Sequence, residues 1–180
     1  MTRDSRAVFV CLGLLGLSVN CGSPADPSEP ATTTKVVVEA ATPSSGTVVI
    51  PSSYVYNEIG GVVLPPQSGL MATRVTLSTA TALAFAQVNV YLVTAAGTAE
   101  YCGQNSPDSP TWRSLPAGWS TTVTITGFQV YRAPCTVTGV RVMLHTRDDV
   151  HVGPPPTAAE TIAEATMPVN FQIRLQSQVP

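Results

Sequence analysis

Residues 170–175, NFQIRL, alternate without a fault: Phe171, Ile173 and Leu175 are apolar, and Asn170, Gln172 and Arg174 are polar. A period of two puts one set of side chains on a core and the other in water, which only a half-buried strand can use. The period recurs along the chain. Val75 and Leu77 alternate with Arg74, Thr76 and Ser78; Val88, Val90 and Leu92 with Asn89 and Tyr91; Val140, Val142 and Leu144 with Arg141, Met143 and His145. Two short apolar runs, KVVVEA at 35–40 and TVVI at 47–50, read as further strands around the turn cluster Thr42-Pro43-Ser44-Ser45-Gly46. Residues 51–70, with Gly60-Gly61 and Pro65-Pro66, read as a loop holding one edge strand. Val123 and Ile125 keep one parity and Phe128 and Val130 the other, with Gly127 at the slip, which predicts a β-bulge there.

These patterns predict an all-β fold: a single antiparallel β-sandwich of seven to nine strands over residues 34–180, broadly immunoglobulin-like. One short helix is expected near the C-terminus. Thr157 and Glu160 have capping-box spacing, Ala158 to Ala165 are good helix formers, Pro154-Pro155-Pro156 leads in, and Pro168 ends the run. The two tryptophans and the cysteine spacing do not reproduce the immunoglobulin core pattern, and no known family is recognised over residues 34–180.

The first 20 residues read differently. Arg3 and Arg6 precede the uncharged stretch Ala7 to Val19, the charge and length pattern of a signal peptide. That stretch falls short of the roughly 20 apolar residues a spanning helix needs. Ser18-Val19-Asn20-Cys21, at its end, resembles a bacterial lipobox, departing from it at Ser18 and Asn20. The resemblance implies that Cys21 is diacylated, carrying palmitate-type chains, and becomes the mature N-terminus. Residues 21–33 then form a Pro/Ser-rich tether. Two acyl chains hold a protein stably on a bilayer. The competing processing event is ordinary cleavage after Ser23-Pro24-Ala25, which discards Cys21.

Of four cysteines, Cys11 leaves with the signal and Cys21 is acylated or removed, so Cys102 and Cys135 remain as a pair. In an exported chain that predicts a disulfide, with two reduced buried thiols as the alternative. Removing residues 1–20 takes two of the nine basic and one of the eleven acidic side chains. The remaining 7 and 10 give a formal charge of −3. Lys35 is the sole lysine, so no basic patch exists to neutralise phosphates, and nucleic acid is excluded as a partner.

Two stretches carry candidate chemistry. YCGQNSPDSPTWRSLPAGWS (101–120) reads as a long loop inside the disulfide. Its Tyr101, Trp112 and Trp119 can stack on sugar rings, while Asn105, Asp108 and Arg113 supply hydrogen bonds. The structural alternative is that both indoles cap the open end of the core. LHTRDDVH (144–151) brings His145, Asp148, Asp149 and His151 into seven residues, a weak metal-site candidate whose plainer reading is a solvated turn. The chain has no G-x-S-x-G elbow, no H-E-x-x-H and no phosphate-cradling glycine loop, so no enzyme activity and no cofactor are expected. The sequence thus points to an exported lipoprotein presenting a non-catalytic binding or structural module; the lipobox resemblance, with Gly22-Ser23 and no acidic residue after the cysteine, implies an outer-membrane or cell-surface location. Its expected partners are the bilayer, through the acyl anchor, and an envelope protein or glycan. A carbohydrate-binding module is the alternative.

Overall fold

A computed structural model describes residues 33–54, 61–105, 109–148 and 154–179. Cys21, the signal segment, Asp108, Asp149 and His151 lie outside the described residues. The described chain is all-β, with eleven strands: β1 (Lys35–Thr42), β2 (Ser45–Ile50), β3 (Val62–Leu64), β4 (Ala72–Ser78), β5 (Leu83–Thr94), β6 (Gly97–Asn105), β7 (Thr111–Leu115), β8 (Ser120–Thr126), β9 (Phe128–Val130), β10 (Cys135–His145) and β11 (Thr161–Leu175). They form a three-stranded sheet, β1-β4-β8, and a larger one ordered β2-β11-β10-β5-β6-β9-β3, with β7 beside the first half of β5. The small sheet lies over part of the large one, with β1 against β11 and β10. This is a sandwich in the broad sense, with curled sheets.

The period-two residues explain the packing. Val36, Val75, Leu77 and Ile125 of the small sheet meet Val88, Val90, Leu92, Val140, Val142, Leu144, Phe171 and Ile173 of the large one. Each fully buried Leu, Ile or Phe among them stabilises the fold by about 1.5–3 kcal/mol relative to leaving it in water. The final strand follows the expected alternation, with Phe171 and Ile173 buried and Asn170 and Gln172 exposed.

Residues 101–120 are not one long loop, since they hold the end of β6 and all of β7, and three further expectations are corrected. The C-terminal helix is absent: Thr157 and Glu160 close a single turn, and Thr161 enters the fifteen-residue strand β11. The capping contacts do form, with the Glu160 carboxylate accepting from the Thr157 N–H at 2.7 Å and its hydroxyl at 2.9 Å. The helix is not propagated, because an isolated eight-residue helix is marginal. As a strand, the same residues pair with β10 along its length and pack Ala163, Ala165 and Met167 on the core. Pro168 stops no helix. It sits within β11 opposite Gly139, where the register with β10 shifts, one of the few places a sheet tolerates proline.

The second correction concerns Gly127. No bulge forms there; the chain leaves the small sheet at Thr126 and joins the large one at Phe128. The core lies on the opposite side of the chain after the crossing, so the inward parity must flip. Gly127 makes the turn at φ +83°, open to glycine at little cost. Third, the pairing is not wholly antiparallel, since edge strand β2 runs parallel to β11.

β5 is buried on both faces from Ala86 to Val93. Its face away from the small sheet carries Gln87, Asn89 and Tyr91 in a row. Gln87 Nε2 donates to Asn89 Oδ1 at 3.4 Å, and Asn89 Nδ2 to the Tyr91 hydroxyl at 3.3 Å. Among the described residues, no helix is long and apolar enough to cross a membrane.

Candidate functional site

Cys102 and Cys135 are joined in a disulfide, with Cα atoms 6.1 Å apart. It links β6 to the first residue of β10, ahead of Gly139, where β10 begins its pairing with β5. Cys102 is fully buried, and its carbonyl accepts the N–H groups of Tyr131 (2.8 Å) and Arg132 (3.2 Å).

The candidate aromatic residues separate into two groups. Tyr101 stands edge-on to Tyr91 (5.4 Å between centroids) and to Tyr131 (5.8 Å), on the outer face of the large sheet with Val93 and Met143. Burial raises the Tyr131 hydroxyl pKa, and the neighbouring Tyr101 and Tyr91 add to it; burial likewise raises Tyr101, against an opposing Arg132 charge. Trp112 and Trp119 instead pack against the main core and against each other, 5.2 Å apart and inclined at 62°. They close the end where the chain crosses between sheets twice, at residues 79–82 and 116–119. There the Thr79 N–H donates to the Trp119 carbonyl and the Gly118 N–H donates to the Thr79 carbonyl (2.9 Å each). The rings are half-buried and tilted, so no coplanar platform is formed.

Asn105 is 2% exposed and its side chain completes a sheet. β6 leaves β5 at Tyr91 and β7 takes over at Gln87, leaving the Val90 N–H without a strand partner. Asn105 Oδ1 accepts that N–H at 2.7 Å, while its Nδ2 donates to Ser109 Oγ at 3.1 Å. A buried backbone donor must be satisfied, and Asn105 does it.

Among the described candidates of 101–120, Arg113 is the exposed one. It lies opposite Phe85 in the β5–β7 register, its guanidinium carbon 5.2 Å from the ring centroid. Its Nη2 also meets Asp148 Oδ2 at 3.2 Å. The two stretches that sequence singled out separately therefore touch through Arg113 and Asp148. Both side chains are over 60% exposed, so the pair is worth at most about 1 kcal/mol and is free to exchange partners.

His145 ends β10 fully buried, opposite Gln87 on the outer face. Arg147 holds the Pro154 carbonyl at 3.0 Å and lies 3.9 Å from Glu160. The Glu160 carboxyl is lowered below its ordinary 4.5, first by the Thr157 N–H and then by its hydroxyl, with Arg147 and His145 adding positive charge against a desolvation penalty. Among the described residues, no three His, Cys, Asp or Glu side chains gather to hold a metal ion.

Sequence reasoning missed one feature. The ion pair of Arg141 and Glu164 forms one side of an open cleft of about 290 Å³, with Met143, Pro156, Thr161 and Ile162 around it. Arg141 and Glu164 hold outward positions on β10 and β11; the parity of Arg141 is legible in the sequence, whereas that of Glu164 is masked by the helical propensity of its neighbours.

No family model matches the chain, and no curated protein matches it. Among solved structures, a match is the crystal structure of DesR, a β-glucosidase from Streptomyces venezuelae in complex with D-glucose. It is 18% identical over 76% of this chain, with a TM-score of 0.21. The chain spans 15% of that protein's length, and at that TM-score the likeness assigns neither fold nor activity.

Proposed function

We propose that the chain is a bacterial cell-envelope lipoprotein. Residues 1–20 export it, acyl chains on Cys21 hold it on a membrane, and residues 21–33 tether a broadly immunoglobulin-like sandwich that acts as a non-catalytic binding or structural module. The disulfide is the observation that carries this reading. Cys102 and Cys135 meet in bonding geometry, and such a bond persists in an oxidising, extracytoplasmic compartment. It accords with the uncharged run and the cysteine that ends it.

The contact surface is the exposed rim formed by Arg113, Phe85 and Asp148, where a charged partner can replace one arm of a weak ion pair. The half-buried, tilted indoles give the carbohydrate alternative no stacking platform. The test is Cys21→Ser in a bacterial host that acylates lipoproteins. The wild-type chain is expected in the membrane fraction and the variant in the soluble extracytoplasmic fraction. Equal partition of the two overturns the anchor.

A further inference from the structure

β2 is the edge of the larger sheet, and no described strand covers its outer side. The Asn170 N–H bonds the Ser44 carbonyl at 2.9 Å, which sets the phase of the β2–β11 ladder. In a parallel ladder of that phase, Gly46, Val48 and Ile50 turn their backbone groups toward β11. Ser45, Thr47 and Val49 point theirs outward. Such a row is a template for another strand, and proteins ordinarily blunt it with charge, proline, a bulge or brevity. The other edges are treated in those ways or continue into the fold. β1 carries Lys35, Glu39 and a register shift between Val38 and Ala40; β3 has three residues and ends at Pro65-Pro66; β7, paired with β5 alone among the described strands, carries Arg113; β8 passes through Gly127 directly into β9. β2, SGTVVI, has six residues with neither charge nor proline, and its Val49 is one of the few large apolar side chains left exposed, at 38%.

We infer that β2 pairs antiparallel with β2 of a second copy of this chain, joining two large sheets into one across a two-fold axis. The chain's own N-terminal segment is a poor occupant. Pro24, Pro27 and Pro30 remove a donor at every third residue just ahead of β1. A second copy suits the edge because β2 is uncharged, so symmetry brings no like charges together. Parity then restricts the register. Facing residues in an antiparallel pair share a sheet face, so the axis must pass a residue and not a bond. With Val48 on the axis, Val48 faces its own copy on the core side, and Thr47 faces Val49 on the outer side. The outward N–H and C=O groups of Thr47 and Val49 then bond each other twice over, and Pro51, without an N–H, ends the pairing.

A six-residue edge buries far less than the roughly 1,600 Å² of a standard interface, so the dimer is weak and assembles at high protein concentration. Acyl anchoring would raise the local concentration, but the pairing does not depend on the anchor.

The test is amide hydrogen exchange and sedimentation of the purified full chain over rising concentration. In the predicted result a dimer appears, and the Thr47 and Val49 amides slow by about tenfold or more together with it. Val49→Pro, which removes an outward-pointing donor, and Val49→Lys, which adds a blunting charge, both return the chain to monomer with the fold retained by circular dichroism. Either variant suffices if the other fails to fold. Three results overturn the proposal: a monomer at every concentration, a dimer in which the two amides stay fast or that persists in a folded variant, and amides already protected in the monomer.

Discussion

At the scale of single residues, position in the sheet decides what a polar side chain does. Asn105 is a candidate ligand residue by its place among the aromatics of 101–120, yet its amide serves the Val90 N–H and the Ser109 hydroxyl. Nothing local in the sequence gives this away, because the need arises from a gap between β6 and β7 beside a third strand. Cys102 and Cys135 were legible by elimination among four cysteines. Replacing both by alanine opens a 33-residue span and is expected to cost roughly 3–4 kcal/mol in the chain-entropy model, read as a lower urea midpoint. An unchanged midpoint would show that the bond adds nothing to the fold. Glu160 gives a pH prediction. Its pKa is lower folded than unfolded, so its contribution is fully present above the ordinary 4.5 and fades as pH falls through the folded value. Glu160→Gln should flatten the acid side of a plot of melting temperature against pH, the two curves converging at low pH. Identical slopes would assign acid sensitivity to other groups.

Among the elements, patterns of period two were read correctly wherever polar and apolar residues alternate, as in β4, β10 and the end of β11. The start of β11 misled because Ala163 and Ala165 favour a helix on propensity, and propensity yields to a strand partner that buries them. In hindsight Ala163, Ala165, Met167, Val169, Phe171, Ile173 and Leu175 keep one parity throughout; the small side chains hid it. Gly127 was recognised as a discontinuity, but one strand's parity cannot distinguish a bulge from a change of sheet. Gly103 is the sharper constraint. A Cβ there would stand 2.4 Å from the Gln129 carbonyl oxygen and 3.1 Å from the Val130 Cα. Gly103→Ala must therefore force β6 and β9 apart, at an expected 1–3 kcal/mol in chemical denaturation. Near-wild-type stability would mean that the pair can slide without loss. Trp112→Ala should cost about 2–3 kcal/mol, less than for a fully buried indole, because the ring closes one end of the core. A stability-neutral variant would free that indole for a ligand and reopen the carbohydrate reading.

On the scale of the whole molecule, the described residues form two packed sheets joined by a disulfide, and what they serve depends on how they are held. The pattern of 170–175 points to a sheet with a dry face without knowledge of any neighbour. The joining of Arg113 to Asp148, which makes one rim of two distant stretches, was not legible, because strand order is not written in local periodicity. The proposed role rests on export and anchoring at Cys21. Intact mass of the chain recovered from a membrane fraction, with and without reduction, tests both at once. The predicted mass begins at Cys21, carries acyl chains and gains two hydrogens on reduction. A mass beginning at Asp26 without lipid would contradict the anchor and make this a freely secreted domain.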